Sequence, residues 1–166
     1  EPFLPWNASD GKDYGKMFVS NKKATKSSRD SQAVLEVLPE GCSNSIIVRF
    51  AQAISWPDKV TNESEPRKCV LHFVRLLRDE TVKYYLIMRQ SSLRSCTFVL
   101  VHSLVTLLNN KALKEVSDVL VKLRADRWGA LQHEQHLLMV YQSLLDYITV
   151  RRNCVITTKL LPLYLF

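Results

Sequence analysis

Apolar residues alternate with polar ones in two early stretches of the chain, and later they recur every three or four positions. The alternating stretches, 33–38 and 45–51, predict two strands, and Pro39-Glu40-Gly41 between them predicts the turn of a hairpin. A compact apolar run at 83–87 predicts a buried strand. Helical spacing predicts four helices, over 66–79, 98–108, 114–126 and 133–150. This mixed order of elements indicates an α/β or α+β layered fold, a mixed sheet with helices on both of its faces.

Length and composition limit the class of protein. The chain has 166 residues, 46% of them hydrophobic, which suits one domain with its own core. No stretch approaches the roughly 18 uncharged apolar residues of a membrane span, and Glu1-Pro2-Phe3 lacks the basic start of a secretory leader. We therefore predict no membrane span and a cytoplasmic location, either free or as the intracellular part of a receptor-type protein.

The cysteines predict neither a metal site nor a disulfide framework. They are widely spread and contain no Cys-x-x-Cys pair: Cys42, Cys69, Cys96 and Cys154. We expect reduced thiols, no metal and no cofactor.

The net charge of +7 favours binding to anionic partners, although it does not identify them. The densest basic cluster lies in a Ser-rich segment that predicts a loop: Lys22, Lys23, Lys26 and Arg29. A solvated loop explains it more simply than a ligand site. No aromatic residues interleave the cluster, so we expect no nucleic-acid partner.

Two short segments carry most of the functional information. Trp56-Pro57-Asp58 precedes a stretch that runs from Met88 to Ser95 and is followed by Thr97-Phe98. Together they resemble the two halves of a protein tyrosine phosphatase active site, a loop with a general acid and a Cys-x5-Arg turn between strand and helix. Aligned without a gap from Thr97-Phe98, the nucleophilic cysteine falls on Met88 and the phosphate-binding arginine on Arg94.

The resemblance to this family covers residues 5–148, at the family's order and spacing. It includes Asp13-Tyr14-Gly15, the helix that ends near Arg127, and the closing Leu144-Leu145-Asp146-Tyr147-Ile148. What the chain resembles is the second half of the family's domain, without the phosphotyrosine-recognition loop. We therefore predict a partial domain over 1–150 and an unassigned extension over 151–166.

The resemblance implies that the chemistry has been lost. The family works through a phosphocysteine, which requires a thiolate, whereas Met88 has a thioether. Cys96 lies after the arginine, where its sulfur is not expected to reach the reacting phosphorus. The family's glycine positions hold Ser91 and Leu93, and a leucine with positive φ would be strained, so the loop is expected to have a different shape. Asp58 keeps the general-acid identity but is expected to serve as a turn residue.

The remaining family positions predict a weak anion site at most. Arg94, Ser91, Ser92 and Ser95 are its candidates, although an ion pair between Arg94 and a carboxylate is the simpler role. Gln132 matches the glutamine that positions water in the family, and the second such glutamine falls on His136. We expect His136 to be a partly exposed surface residue.

The leading hypothesis is an inactive phosphatase-like domain that binds a phosphotyrosine protein or an active phosphatase domain. The alternatives are a weak enzyme that acts through other residues, and a structural remnant without a ligand. A sheet that lacks neighbouring strands leaves unpaired edges, so self-association is expected. Deleting the apolar tail, 160–166, is expected to reduce solubility.

Overall fold

The computed structural model describes residues 5, 11–54, 56, 64–78 and 92–160. In this part of the chain the elements are β1 (Gly11–Tyr14), β2 (Met17–Lys26), β3 (Asp30–Pro39), β4 (Ile46–Ala53), α1 (Ser64–Arg78), α2 (Ser92–Asn109), α3 (Val116–Asp126) and α4 (Glu134–Leu160). They fall into two compact units that divide after Trp56. The first unit contains the strands and the second the helices. The presence of both kinds of element confirms the predicted α/β class.

The first unit is an antiparallel meander in the order β1-β2-β3-β4. Tyr14 pairs with Met17 across a tight turn in which Gly15 has φ 62°, a backbone angle that glycine adopts without strain. The predicted hairpin is confirmed, since β3 and β4 pair from Val37 opposite Ile46 to Asp30 opposite Ala53. Val19, Ala33 and Leu35 form the buried cluster of this unit.

A β-bulge interrupts β2 between Asn21 and Lys23. The Asn21 side chain is fully buried. Its amide donates to the Pro5 carbonyl at 2.7 Å, and its oxygen accepts from the Lys23 amide at 3.1 Å. The irregularity is therefore held by hydrogen bonds, as buried polar groups generally are.

The basic cluster is not a loop, contrary to the prediction. Lys22, Lys23 and Lys26 belong to β2, and only Arg29 lies in the turn before β3. The Lys22 ammonium is 2.7 Å from the Glu36 carboxylate on β3, and this interaction lowers the pKa of Glu36. The cross-strand pair explains how a lysine-rich segment can form a strand.

The second unit is built around α2. Its turns bury apolar side chains almost all round, which marks it as the central helix. Its fully or nearly fully buried residues are Cys96, Thr97, Phe98, Leu100, Val101, Leu104 and Val105. Helices α1, α3 and α4 contact it, and the Arg67 Nε of α1 donates to the Asp146 carboxylate of α4 at 2.8 Å.

All four predicted helices are confirmed, two of them within two residues of their predicted bounds and two with clearly different bounds. Helix α2 begins at Ser92, six residues before the predicted start, and α4 continues to Leu160, past the predicted end at 150. Because α4 is continuous there, no change of secondary structure marks position 150, and the predicted domain boundary stays a prediction. The predicted strand at 83–87 and residues 161–166 lie outside the described part. No described helix is long and apolar enough to cross a membrane.

Candidate functional site

The amino-terminal end of α2 is the positively polarised end of an 18-residue helix. Its first turn contains no acidic residue and carries Arg94 and Ser95. Leu93 is already part of the helix, so its backbone does not adopt the positive φ of a phosphate-loop glycine. This end of α2 therefore favours an anion through its dipole and one guanidinium.

Arg94 is half-buried, and its Nε lies fully out of contact with solvent. Ser95, the next residue, is 8% exposed. The positive charge of Arg94 also contributes to lowering the pKa of His136 on α4. Two of the residues that the sequence singled out, 42 positions apart, are therefore electrostatic neighbours.

His136 is buried, and the expectation of a surface histidine is wrong. Only 8% of the residue is exposed. Its Nδ1 lies 3.3 Å from the Oγ1 of Thr97, which is itself fully buried. The histidine points inward because it shares the buried side of α4 with Met139, Val140 and Ser143, at helical spacing. A hydroxyl on α2 meets its ring there.

Gln132 lies in the turn between α3 and α4 and is exposed. The turn has an unusual backbone, with φ 77° at Gly129 and 55° at Leu131. The Arg124 guanidinium holds it by donating to the carbonyls of Ala130 at 3.1 Å and Leu131 at 3.2 Å. The side-chain amide of Gln132 folds back over Gly129, where a Cβ would come within 3.1 Å of its nitrogen.

The structure thus brings Arg94 of α2 close enough to His136 of α4 to influence its pKa, and Ser95 follows Arg94 in the same helical turn. Gln132 lies in the turn just before α4. Asp58, Met88 and Ser91 lie outside the described residues, and Ser92 is described only as the first residue of α2. Sequence reasoning missed the roles of Thr97 and Arg124. Helix α2 carries other hydroxyls, such as Ser95, Ser103 and Thr106, so no signal in the sequence singled out Thr97.

No other chemistry is evident among the described side chains. They include no group of three or more His, Cys, Asp or Glu residues that could hold a metal ion. Of the described cysteines, Cys69 and Cys96 are buried and Cys42 is exposed. The absence of a metal and of a cofactor from the working protein stays a prediction.

The free energy of unfolding is expected to decrease as the pH is lowered, because His136 is buried. Burial lowers the pKa of His136 below its ordinary value of 6.5, and His133 and Arg94 lower it further. As the pH drops through about 6.5, His136 becomes protonated in the unfolded chain but stays neutral in the folded chain. The free energy of unfolding therefore decreases until the pH reaches the folded-state pKa. The measurement is denaturant unfolding between pH 8 and pH 5 for the wild type and His136→Gln. The variant should lose part of this dependence.

His102 provides the parallel variant for that experiment, because burial lowers its pKa as well. His102→Gln should remove a separate share of the pH dependence, and the two shares should add. A His136→Gln protein with the same pH dependence as the wild type would contradict a buried, neutral His136.

Two comparisons with known proteins agree. The family model of the protein-tyrosine phosphatases matches residues 1–146. A Caenorhabditis elegans protein named "Putative tyrosine-protein phosphatase" is 26% identical over 145 residues, which is 87% of this chain. The match spans 36% of that relative's length, so the chain corresponds to about a third of it.

Proposed function

The chain belongs to the protein tyrosine phosphatase family, and we propose that within it the chain is a catalytically inactive domain that binds a phosphotyrosine-bearing protein. One observation carries the proposal: methionine, Met88, occupies the position that aligns with the nucleophilic cysteine. A thioether has no ionisable proton and cannot accept a phosphoryl group to form the family's covalent intermediate.

The nearest cysteine is a poor replacement. Cys96 is 2% exposed within the second turn of α2, packed among core residues. A nucleophile must reach the substrate and needs surroundings that stabilise its thiolate, whereas an apolar core provides neither. Burial of this thiol supports inactivity rather than a shifted active site.

Binding is favoured by what remains at the start of α2. The helix end is positively polarised, its first turn lacks acidic residues, and Arg94 and Ser95 add a cation and a hydroxyl. A phosphate monoester dianion suits such a site. The net charge of +7 favours encounter with an anionic partner. The proposal places the domain in the cytoplasm, where phosphotyrosine proteins and reduced thiols occur together.

An active phosphatase domain is the second candidate partner. The observation that favours it is one apolar face of β4, on which Ile46 and Val48 are 58% and 40% exposed. Contiguous exposed apolar residues are typical of contact surfaces between proteins. Such a partner would bind the sheet unit without using Arg94.

Calorimetry with a phosphotyrosine peptide tests the first candidate. We expect weak binding that Arg94→Ala reduces at least about tenfold, the usual cost of losing a charge-assisted hydrogen bond to phosphate. The affinity should also decrease with added salt, because the site is partly exposed and screening weakens it.

Arg75→Ala is the matched control, since Arg75 is an exposed arginine on α1 and its loss changes the net charge equally. It should leave the affinity nearly unchanged. Equal affinities for the wild type and Arg94→Ala would assign Arg94 a structural role, such as an ion pair with a carboxylate. No binding of any phosphopeptide would favour the active-phosphatase partner or a remnant without a ligand.

A further inference from the structure

Helix α4 has an apolar stripe on the side opposite its buried face. The buried side comprises His136, Met139, Val140, Ser143, Leu144 and Tyr147. On the other side Leu138, Tyr141 and Leu145 are 50%, 44% and 63% exposed. Their spacing of three and four residues places them in one line along the helix.

The stripe continues at the same spacing in both directions. Ile148, which is partly exposed, follows Leu145 by three residues, and positions 134 and 152 lie four residues beyond the two apolar ends. The full line is Glu134, Leu138, Tyr141, Leu145, Ile148 and Arg152, within a single helix of 27 residues. Alternate steps of four and three are the repeat with which helices pair along their length. The line begins with an acid and ends with a base.

We propose that this stripe pairs with the α4 stripe of a second copy of the chain, antiparallel to it. In that arrangement Tyr141 lies opposite Leu145 of the second copy, and Leu138 lies opposite its Ile148. Glu134 then falls opposite Arg152. By two-fold symmetry each of these pairs forms twice, as an isologous interface requires.

Charge is what selects a second copy as the occupant. Any apolar helix could cover Leu138, Tyr141 and Leu145, but the two ends of the stripe carry opposite charges at equal distances from its centre. An antiparallel partner with the same order of charges satisfies both, and a second copy of the chain has that order. The interface leaves the buried side of α4, and with it His136, unaffected, so the proposal is independent of phosphate binding.

A charge exchange within the full chain tests the register, with the dissociation constant of the dimer measured by sedimentation. Glu134→Arg alone places arginines opposite each other twice, and Arg152→Glu alone does the same with acids. Each should weaken dimerisation at least about tenfold. The double variant, Glu134→Arg with Arg152→Glu, should restore it. The two positions lie roughly 27 Å apart along one helix, so the recovery has to arise between copies.

Leu145→Glu tests the apolar part of the stripe and should also weaken the dimer at least about tenfold. Val121→Glu on α3 is the control, because Val121 is equally exposed, at 65% against 63% for Leu145, and lies off the stripe. A wild type that stays monomeric at all concentrations would overturn the proposal. So would a double charge variant that remains as weak as the single ones, or a Val121→Glu that acts like Leu145→Glu.

Discussion

Purified protein is expected to hydrolyse a phenyl phosphate no faster than buffer does. Enzymes accelerate their reactions at least about a millionfold, and in this family the acceleration depends on a thiolate that attacks phosphorus. Met88 cannot supply one. The measurement is release of the phenol at neutral pH, with an active family member as the positive reference.

Met88→Cys is expected to restore little of that activity. The thiol alone does not rebuild the cradle, since Ser91 and Leu93 stand at glycine positions and Leu93 is already part of α2. We therefore do not expect the loop amides to converge on phosphate as they do where glycines allow positive φ. Met88→Ala is the matched control. Turnover that Arg94→Ala abolishes, but that no Met88 substitution affects, would instead indicate an enzyme acting through other residues.

Phe98→Ala is expected to lower the free energy of unfolding by about 3–5 kcal/mol. Phe98 is 2% exposed at the centre of the helical unit, and its ring stacks on His102 with centroids 6.0 Å apart. Small domains have total stabilities of about 5–15 kcal/mol, so the variant should be close to unfolding. Denaturant titration followed by circular dichroism measures the change.

Val121→Ala serves as the control for that substitution. Val121 is 65% exposed, and surface substitutions usually change stability by less than about 0.5 kcal/mol. A Phe98→Ala protein that loses less than about 1 kcal/mol would mean that α2 is not the central helix.

Periodicity predicted elements that bury one face, but it predicted neither β1 nor β2, and α2, which is buried almost all round, only in part. The β3–β4 hairpin follows from alternation around Gly41, and the four helices follow from their apolar spacing. The extent of α4 was underestimated, although the chain from 130 to 161 contains no glycine or proline to end a helix. The absence of a stop signal was as informative there as the pattern itself.

The errors involve partners that are distant in sequence. His136 looked like a surface residue because its partner, Thr97, is 39 positions away on another helix. The lysines of β2 looked like a loop because Glu36 reaches Lys22 only after β3 has folded back. Such contacts between distant residues cannot be predicted from local composition. The family resemblance identified Arg94 and His136, and the structure showed which residues surround them.

Arg124 fixes the turn that precedes α4. One planar guanidinium donates to two successive carbonyls, those of Ala130 and Leu131, while the backbone turns through a positive φ at Leu131. A lysine ammonium has the same charge but lacks the fixed fork that reaches both oxygens at once. A substitution of Arg124 by lysine would therefore keep the charge but is expected to change the angle at which α4 leaves the turn. Relatives that keep arginine there are the ones expected to keep His136 directed at Thr97.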